Sequence, residues 1–113
     1  MRINKREAEY VKTAVLYGWS IEISGWSSKP LWDNDVLLPV KVGKVVEGLI
    51  TKGLFKKVEW SQGCTRIYKT PLANTFECKN PGCHHGNLYD ERDLPSGNCP
   101  VCEGRGIVLD NGG

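Results

Sequence analysis

The chain has 113 residues, 40% hydrophobic and 25% charged, with a formal net charge of +2. That length holds one ordinary domain or two very small ones, and no apolar run approaches the ~20 residues that cross a bilayer. The charge is unevenly placed: residues 1–72 carry 12 Lys/Arg against 7 Asp/Glu, while residues 73–113 carry 3 against 6. Any polyanion would therefore meet the front of the chain first. The basic residues at 1–6 lead into no apolar stretch or small-residue cleavage site. A signal peptide is not expected, and the cytoplasm, where thiols stay reduced, is the expected compartment.

Asn4 and Glu7 have capping-box spacing, and Ala8, Val11, Ala14 and Val15 follow at helical intervals. The pattern predicts a helix over 5–17 ended by Gly18. Trp19 to Ser24 alternates apolar and polar, as a half-buried strand does. A polar turn follows over 25–30, and Asp33, Asn34 and Asp35 can cap a short helical turn over 36–38. Pro39 stands where a first helical position tolerates proline. Val42, Val45, Val46, Leu49 and Ile50 then recur at i, i+3, i+4, i+7 and i+8, predicting a helix over 40–52 stopped by Gly53. Two β-rich runs, 57–60 and 65–70, flank the turn Ser61-Gln62-Gly63-Cys64 and predict a hairpin.

The last third contains two short cysteine pairs, Cys78/Cys83 and Cys99/Cys102, each in a Gly/Pro-rich turn that can aim two sulfurs at one point. Four thiolates are the tetrahedral set that Zn²⁺ prefers in a closed structural site, and such a site has no open position for a catalytic water. Iron would use the same four sulfurs, and His84 or His85, directly after Cys83, could replace one of them. A segment of about 40 residues with few large apolar side chains cannot fold on hydrocarbon burial alone, so one structural Zn²⁺ is expected to supply the fold. Leu88-Tyr89 and Ile107-Val108-Leu109 are the expected strands there. The fifth cysteine, Cys64, has no histidine near it in sequence. Asp90, Glu91 and Asp93 read as a solvated loop. No phosphate loop, dinucleotide fingerprint or hydrolase elbow is present, so the chain does not read as an enzyme.

The succession of helix, short strand, short helix, longer helix and hairpin resembles a winged helix-turn-helix over residues 4–71. The residues carrying it are Leu49-Ile50-Thr51-Lys52-Gly53-Leu54-Phe55, similar to the turn where a recognition helix runs into the wing, and Arg66-Ile67-Tyr68, similar to the returning wing strand. Residues 76–109 resemble a zinc ribbon. Its second knuckle, Cys99-Pro100-Val101-Cys102-Glu103-Gly104-Arg105-Gly106, is similar to the Cys-x-x-Cys-x-Gly-x-Gly unit of DnaJ-type zinc regions, present here once. Its glycines let backbone N–H groups turn toward the thiolates.

These resemblances imply an α+β chain with a winged-helix domain over 1–72 and a zinc-ribbon domain over 73–113. They imply a recognition helix over 40–52 in the major groove of duplex DNA, with Lys41, Lys44, Thr51 and Lys52 as contacts and Gln62 and Arg66 on the wing. That helix lacks Arg, Asn and Gln, so phosphate contacts would lead over base readout. The expected role is a nucleic-acid-binding, transcription-related protein. The competing role is an adaptor or inhibitor, of a kind found in bacteria and phages, that docks on a larger protein machine; exposed members of the set Trp19, Trp26, Trp32 and Trp60 would favour it. No membrane partner is expected. Winged helices often pair, so a homodimer is compatible with this reading.

Overall fold

The Asn4 side chain accepts from the Glu7 N–H at 2.8 Å, and Glu7 accepts from the Asn4 N–H at 3.0 Å, closing the expected capping box. This launches α1, Lys5–Leu16, which buries Ala8, Val11 and Ala14 along one face. The computed structural model describes residues 1–24, 29–34, 38–61, 63–89, 92 and 95–112. Trp26, Val36, Leu37, Gln62, Asp90, Glu91 and Asp93 lie outside the described residues, and with them most of the expected helical turn over 36–38.

After α1 come β1 (Ile21–Ile23), β2 (Leu31–Trp32), α2 (Lys44–Thr51), β3 (Phe55–Ser61) and β4 (Cys64–Lys69). A 3₁₀ helix follows at Pro71–Phe76, then β5 (Cys83–His84), β6 (Asn87–Tyr89) and β7 (Pro95–Asn98). The architecture is α+β, with three helices and two antiparallel sheets among the described residues. The first sheet has the order β2-β1-β4-β3 and the second β5-β6-β7. The rows Ile21↔Trp32 and Ile21↔Ile67 set three buried side chains side by side on the first sheet. Val11 of α1 and Val46 and Leu49 of α2 belong to the same apolar cluster.

The second helix begins later than its hydrophobic period predicts, at Lys44 instead of residue 40. The backbone of 38–40 is already paired: Trp32 N–H donates to the Leu38 carbonyl at 2.7 Å, and Val40 N–H donates to Pro30 at 3.1 Å. Pro39 bridges Leu31 as extended chain and starts no helix. Lys41 consequently lies on the approach to α2 and not on it.

The apolar cluster runs through the expected boundary at 72/73, because Ala73, Phe76 and Ile107 all belong to it. The chain leaves this core at Glu77 and returns at Ile107, and the neck is paired: Cys78 N–H donates to Gly106 O at 3.0 Å and Val108 N–H to Phe76 O at 2.8 Å. Ile107–Leu109, expected as a ribbon strand, is outside the second sheet. It instead meets the first residues of the chain, where Ile3 N–H donates to Leu109 O at 2.8 Å and Arg2 bridges Asp110. No helix is long and apolar enough to cross a membrane among the described residues.

Candidate metal centre and basic cleft

Between Glu77 and Gly106 the buried described residues are two cysteines, Cys99 and Cys102, and two glycines, Gly86 and Gly106. No apolar hydrocarbon side chain is buried there among the described residues. What converges is sulfur. The Sγ atoms of Cys78, Cys83, Cys99 and Cys102 all lie within 4.8 Å of one another, and the four residues could hold a metal ion. Cys78 and Cys99 are 3.7 Å apart, as are Cys83 and Cys102. These separations are far from the ~2.05 Å of a disulfide bond.

Each cysteine is aimed by local backbone. Cys83 closes a turn by donating its N–H to the Asn80 carbonyl at 2.9 Å, and Cys99 donates its N–H to Gly86 at 2.8 Å. Gly86, with φ +96, sits against the second knuckle: a Cβ there would meet the Gly104 carbonyl oxygen at 2.2 Å. Gly106, with φ +79, donates its N–H to Cys102 Sγ at 3.2 Å, the role expected for a knuckle glycine. A Cβ on Gly106 would strike Leu16 of α1 at 2.6 Å. The knuckle is therefore pressed directly onto the helical half.

Asn80, which sequence reasoning passed over, acts on both sides of the cluster. Its Oδ1 accepts from Gly82 N–H at 3.2 Å and its Nδ2 donates to Cys99 Sγ at 3.3 Å. The Asn-Pro-Gly turn was the available signal. Burial pushes the Cys83 thiol up to about 12 and raises Cys78 as well. Burial works against the Cys99 thiolate too, yet the backbone N–H groups of Cys102 and Val101 and the Asn80 amide outweigh it and bring Cys99 down to about 6. A cation at the centre of four such sulfurs would favour the thiolate at every one. Neither His84 nor His85 joins the cluster; their rings stack on each other at 4.5 Å, with His85 edge-on to Tyr17 at 5.8 Å. Cys64 opens β4 opposite Ser61, outside the cluster.

The residues expected to touch nucleic acid fall into different settings. Lys52 Nζ donates to both carboxylate oxygens of the buried Glu7 at 2.8 Å. Arg66 pairs with Asp33 at 3.1 Å and with Glu22 at 3.7 Å, across the first sheet. Thr51 Oγ1 donates to Glu47 O at 3.0 Å. Gln62 lies outside the described residues. Lys41 and Lys44 are exposed and share a cleft of about 710 Å³ with Arg6, Glu9 and Tyr10 of α1. The Tyr10 hydroxyl donates to the Lys41 carbonyl at 2.8 Å, tying the two walls together. Arg6 escaped the sequence reading because nothing in its spacing links α1 to the residues before α2. No family model, curated protein or solved structure matches this chain.

Proposed function

We propose that the chain is a nucleic-acid-binding protein of winged-helix type whose C-terminal excursion is a ribbon held by one structural Zn²⁺. The observation that carries the reading is the sulfur geometry. A tetrahedral ion with Zn–S bonds of ~2.3 Å needs sulfurs ~3.8 Å apart, and two of the pairs stand at 3.7 Å. Four sulfur ligands leave no coordination position open, so the ion holds structure and does no chemistry on a substrate. The three-stranded second sheet, whose first strand carries Cys83, supports the ribbon reading.

Support for the winged helix comes from connectivity. A helix leads directly into the β3–β4 hairpin, and the returning strand β4 pairs on its other edge with β1, the strand after the first helix. Support for nucleic acid comes from charge: Arg6, Lys41 and Lys44 line one cleft, with Glu9 as the carboxylate among its described lining residues. Cations placed this way neutralise phosphates and release counterions, which gives affinity without base readout. The exposed residues of α2 include Lys44, Glu47 and Thr51, so a carboxylate interrupts the face that a major groove would meet.

Elemental analysis of the purified chain should find about one zinc, lost when Cys99 and Cys102 become serine. Binding to a labelled oligonucleotide should weaken as salt rises, and Lys41→Glu with Lys44→Glu should flatten that dependence by roughly one unit per lysine. A zinc-free folded chain would sink the first half of the proposal. Binding that ignores both salt and the two lysines would sink the second.

A further inference from the structure

Two features of α1 point to which form of nucleic acid this surface takes; the inference rests on the nucleic-acid reading above and narrows it. The first is the cation cleft at the start of the helix, where Arg6 meets Lys41 and Lys44. The second is a ladder of rings at its end. Tyr17, 48% exposed, packs on Trp19 at 5.1 Å and meets His85 edge-on at 5.8 Å, and His85 stacks flat on His84 at 4.5 Å. Both histidines are exposed. The ladder thus crosses from the helical half onto β5, beside the metal centre.

Cleft and ladder lie on one stripe. Arg6, Tyr10, Thr13 and Tyr17 follow at i, i+4, i+7 and i+11, the spacing that keeps side chains on one helical face. At 1.5 Å per residue the stripe is about 16 Å long, the length of a few nucleotides. One end offers positive charge for phosphates and the other offers aromatic faces. A duplex presents phosphates but keeps its base faces inside the stack, whereas a single strand presents both. We infer that the outer face of α1, from the Arg6–Lys41–Lys44 cleft to the Tyr17–His85 ladder, is a track for single-stranded nucleic acid. Phosphates sit in the cleft and at least one base stacks on the ladder, a pairing of charge and π surface that tolerates any sequence.

The test is an anisotropy titration of the full, zinc-loaded chain with three labelled probes: a mixed-sequence single strand, the same strand as a duplex, and a strand of equal length made of abasic sites. The single strand should bind tightest, with a slope of log affinity against log salt near −2, as about three phosphate contacts give. Arg6→Gln, Lys41→Gln and Lys44→Gln together should bring that slope close to zero. Tyr17→Ala should cost about tenfold or more and leave the slope unchanged, and the abasic strand should lose a similar factor against the native protein. The abasic arm needs no variant, so it stands even if a Tyr17 change disturbs folding. A duplex bound more tightly than the single strand, or an abasic strand bound equally well, would overturn the track and leave the broader nucleic-acid reading in place. Failure to bind any of the three probes would remove both.

Discussion

The helical part and the cysteine-bearing excursion of this chain keep their shapes by different means. Val11, Ile21, Val46, Leu49, Leu54 and Phe76 are sealed from solvent in one apolar cluster that joins both helices to the first sheet. Each such side chain contributes roughly 1.5–3 kcal/mol by leaving water. Among the described residues, 77–106 bury sulfur and glycine instead, and Val101 stands 58% exposed. One region depends on apolar side chains that fill volume; the other depends on the clustered sulfurs and on backbone that lies too close for a Cβ. The two are nevertheless joined, because the chain returns from the excursion through Ile107 into the shared core and on to residues 1–3.

Removing the proposed Zn²⁺ should break the comparison most completely. Zinc bound to small peptides contributes roughly 10–16 kcal/mol at neutral pH, as much as or more than the ~5–15 kcal/mol by which whole domains are stable. Chelator, or Cys99→Ser with Cys102→Ser, should therefore unfold residues 77–106 first. It should also loosen α1, which touches Gly106 through Leu16. Amide exchange checks this directly: protection should fall in the excursion and at Ile3 and Val11 together. Protection retained at Ile3 and Val11 would mean two independent parts. Acid should act in the same direction, since protons compete for the thiolates. Zinc retention should therefore fall as pH is lowered, because each ligand must be deprotonated to bind the ion.

A pair of glycines within the excursion gives the next largest effect. Gly86→Ala would drive a Cβ into the Gly104 carbonyl and strain a φ of +96. It should cost about 3 kcal/mol or more and weaken zinc retention. Gly82→Ala, in the same module, meets Leu88 at 3.7 Å and Asn80 Oδ1 at 3.9 Å, both ordinary van der Waals contacts, and should change stability by less than about 1 kcal/mol. Competition with a colourimetric chelator separates the two. Equal retention by both variants would show that the knuckles do not press together as described.

The clustering of Cys78, Cys83, Cys99 and Cys102 was the most legible part of the sequence, because a site able to hold a metal needs a particular residue type at a particular spacing. Asn4 with Glu7 announced α1, and the period of Val46 and Leu49 announced α2. The start of α2 was not legible: Val42 keeps the helical period although it precedes the helix, and only the pairing of 38–40 with 30–32 shows that the chain approaches α2 as extended backbone. Local periodicity cannot report hydrogen bonds to residues ten positions away. The same holds for charge. Lys52 and Arg66 looked like surface cations, yet their partners Glu7, Glu22 and Asp33 come from elements distant in sequence. Arg6 became part of a cleft only when α1 packed beside Lys41.

Lys52 offers a smaller test within the hydrocarbon-held half. Glu7 is 5% exposed and takes both the Asn4 cap and the Lys52 ammonium. Lys52→Ala leaves a buried carboxylate with only the cap bond, at a cost of about 1–3 kcal/mol, reduced from the fully buried case because the Lys52 side chain is 36% exposed. Thermal denaturation should show the loss. It should shrink in the double variant Lys52→Ala with Glu7→Gln, since a neutral amide no longer strands a charge. An equal loss in the double variant would assign the effect to the lysine stem.

Gly48 should give the smallest effect and the opposite sign to Gly86. It lies inside α2, where a Cβ would meet only Glu7 Oε2, at 3.8 Å. Alanine is favoured over glycine in a helix interior by about 1 kcal/mol, because glycine has more backbone freedom to lose on folding. Ordinary van der Waals distance to one carboxylate oxygen leaves room for that gain. Gly48→Ala should raise the melting temperature by a few degrees while zinc content stays the same. A lower melting temperature would mean that the Glu7–Lys52 pair needs the open side of Gly48 for its hydration. In that case the helical half would share the excursion's intolerance of a single added methyl group.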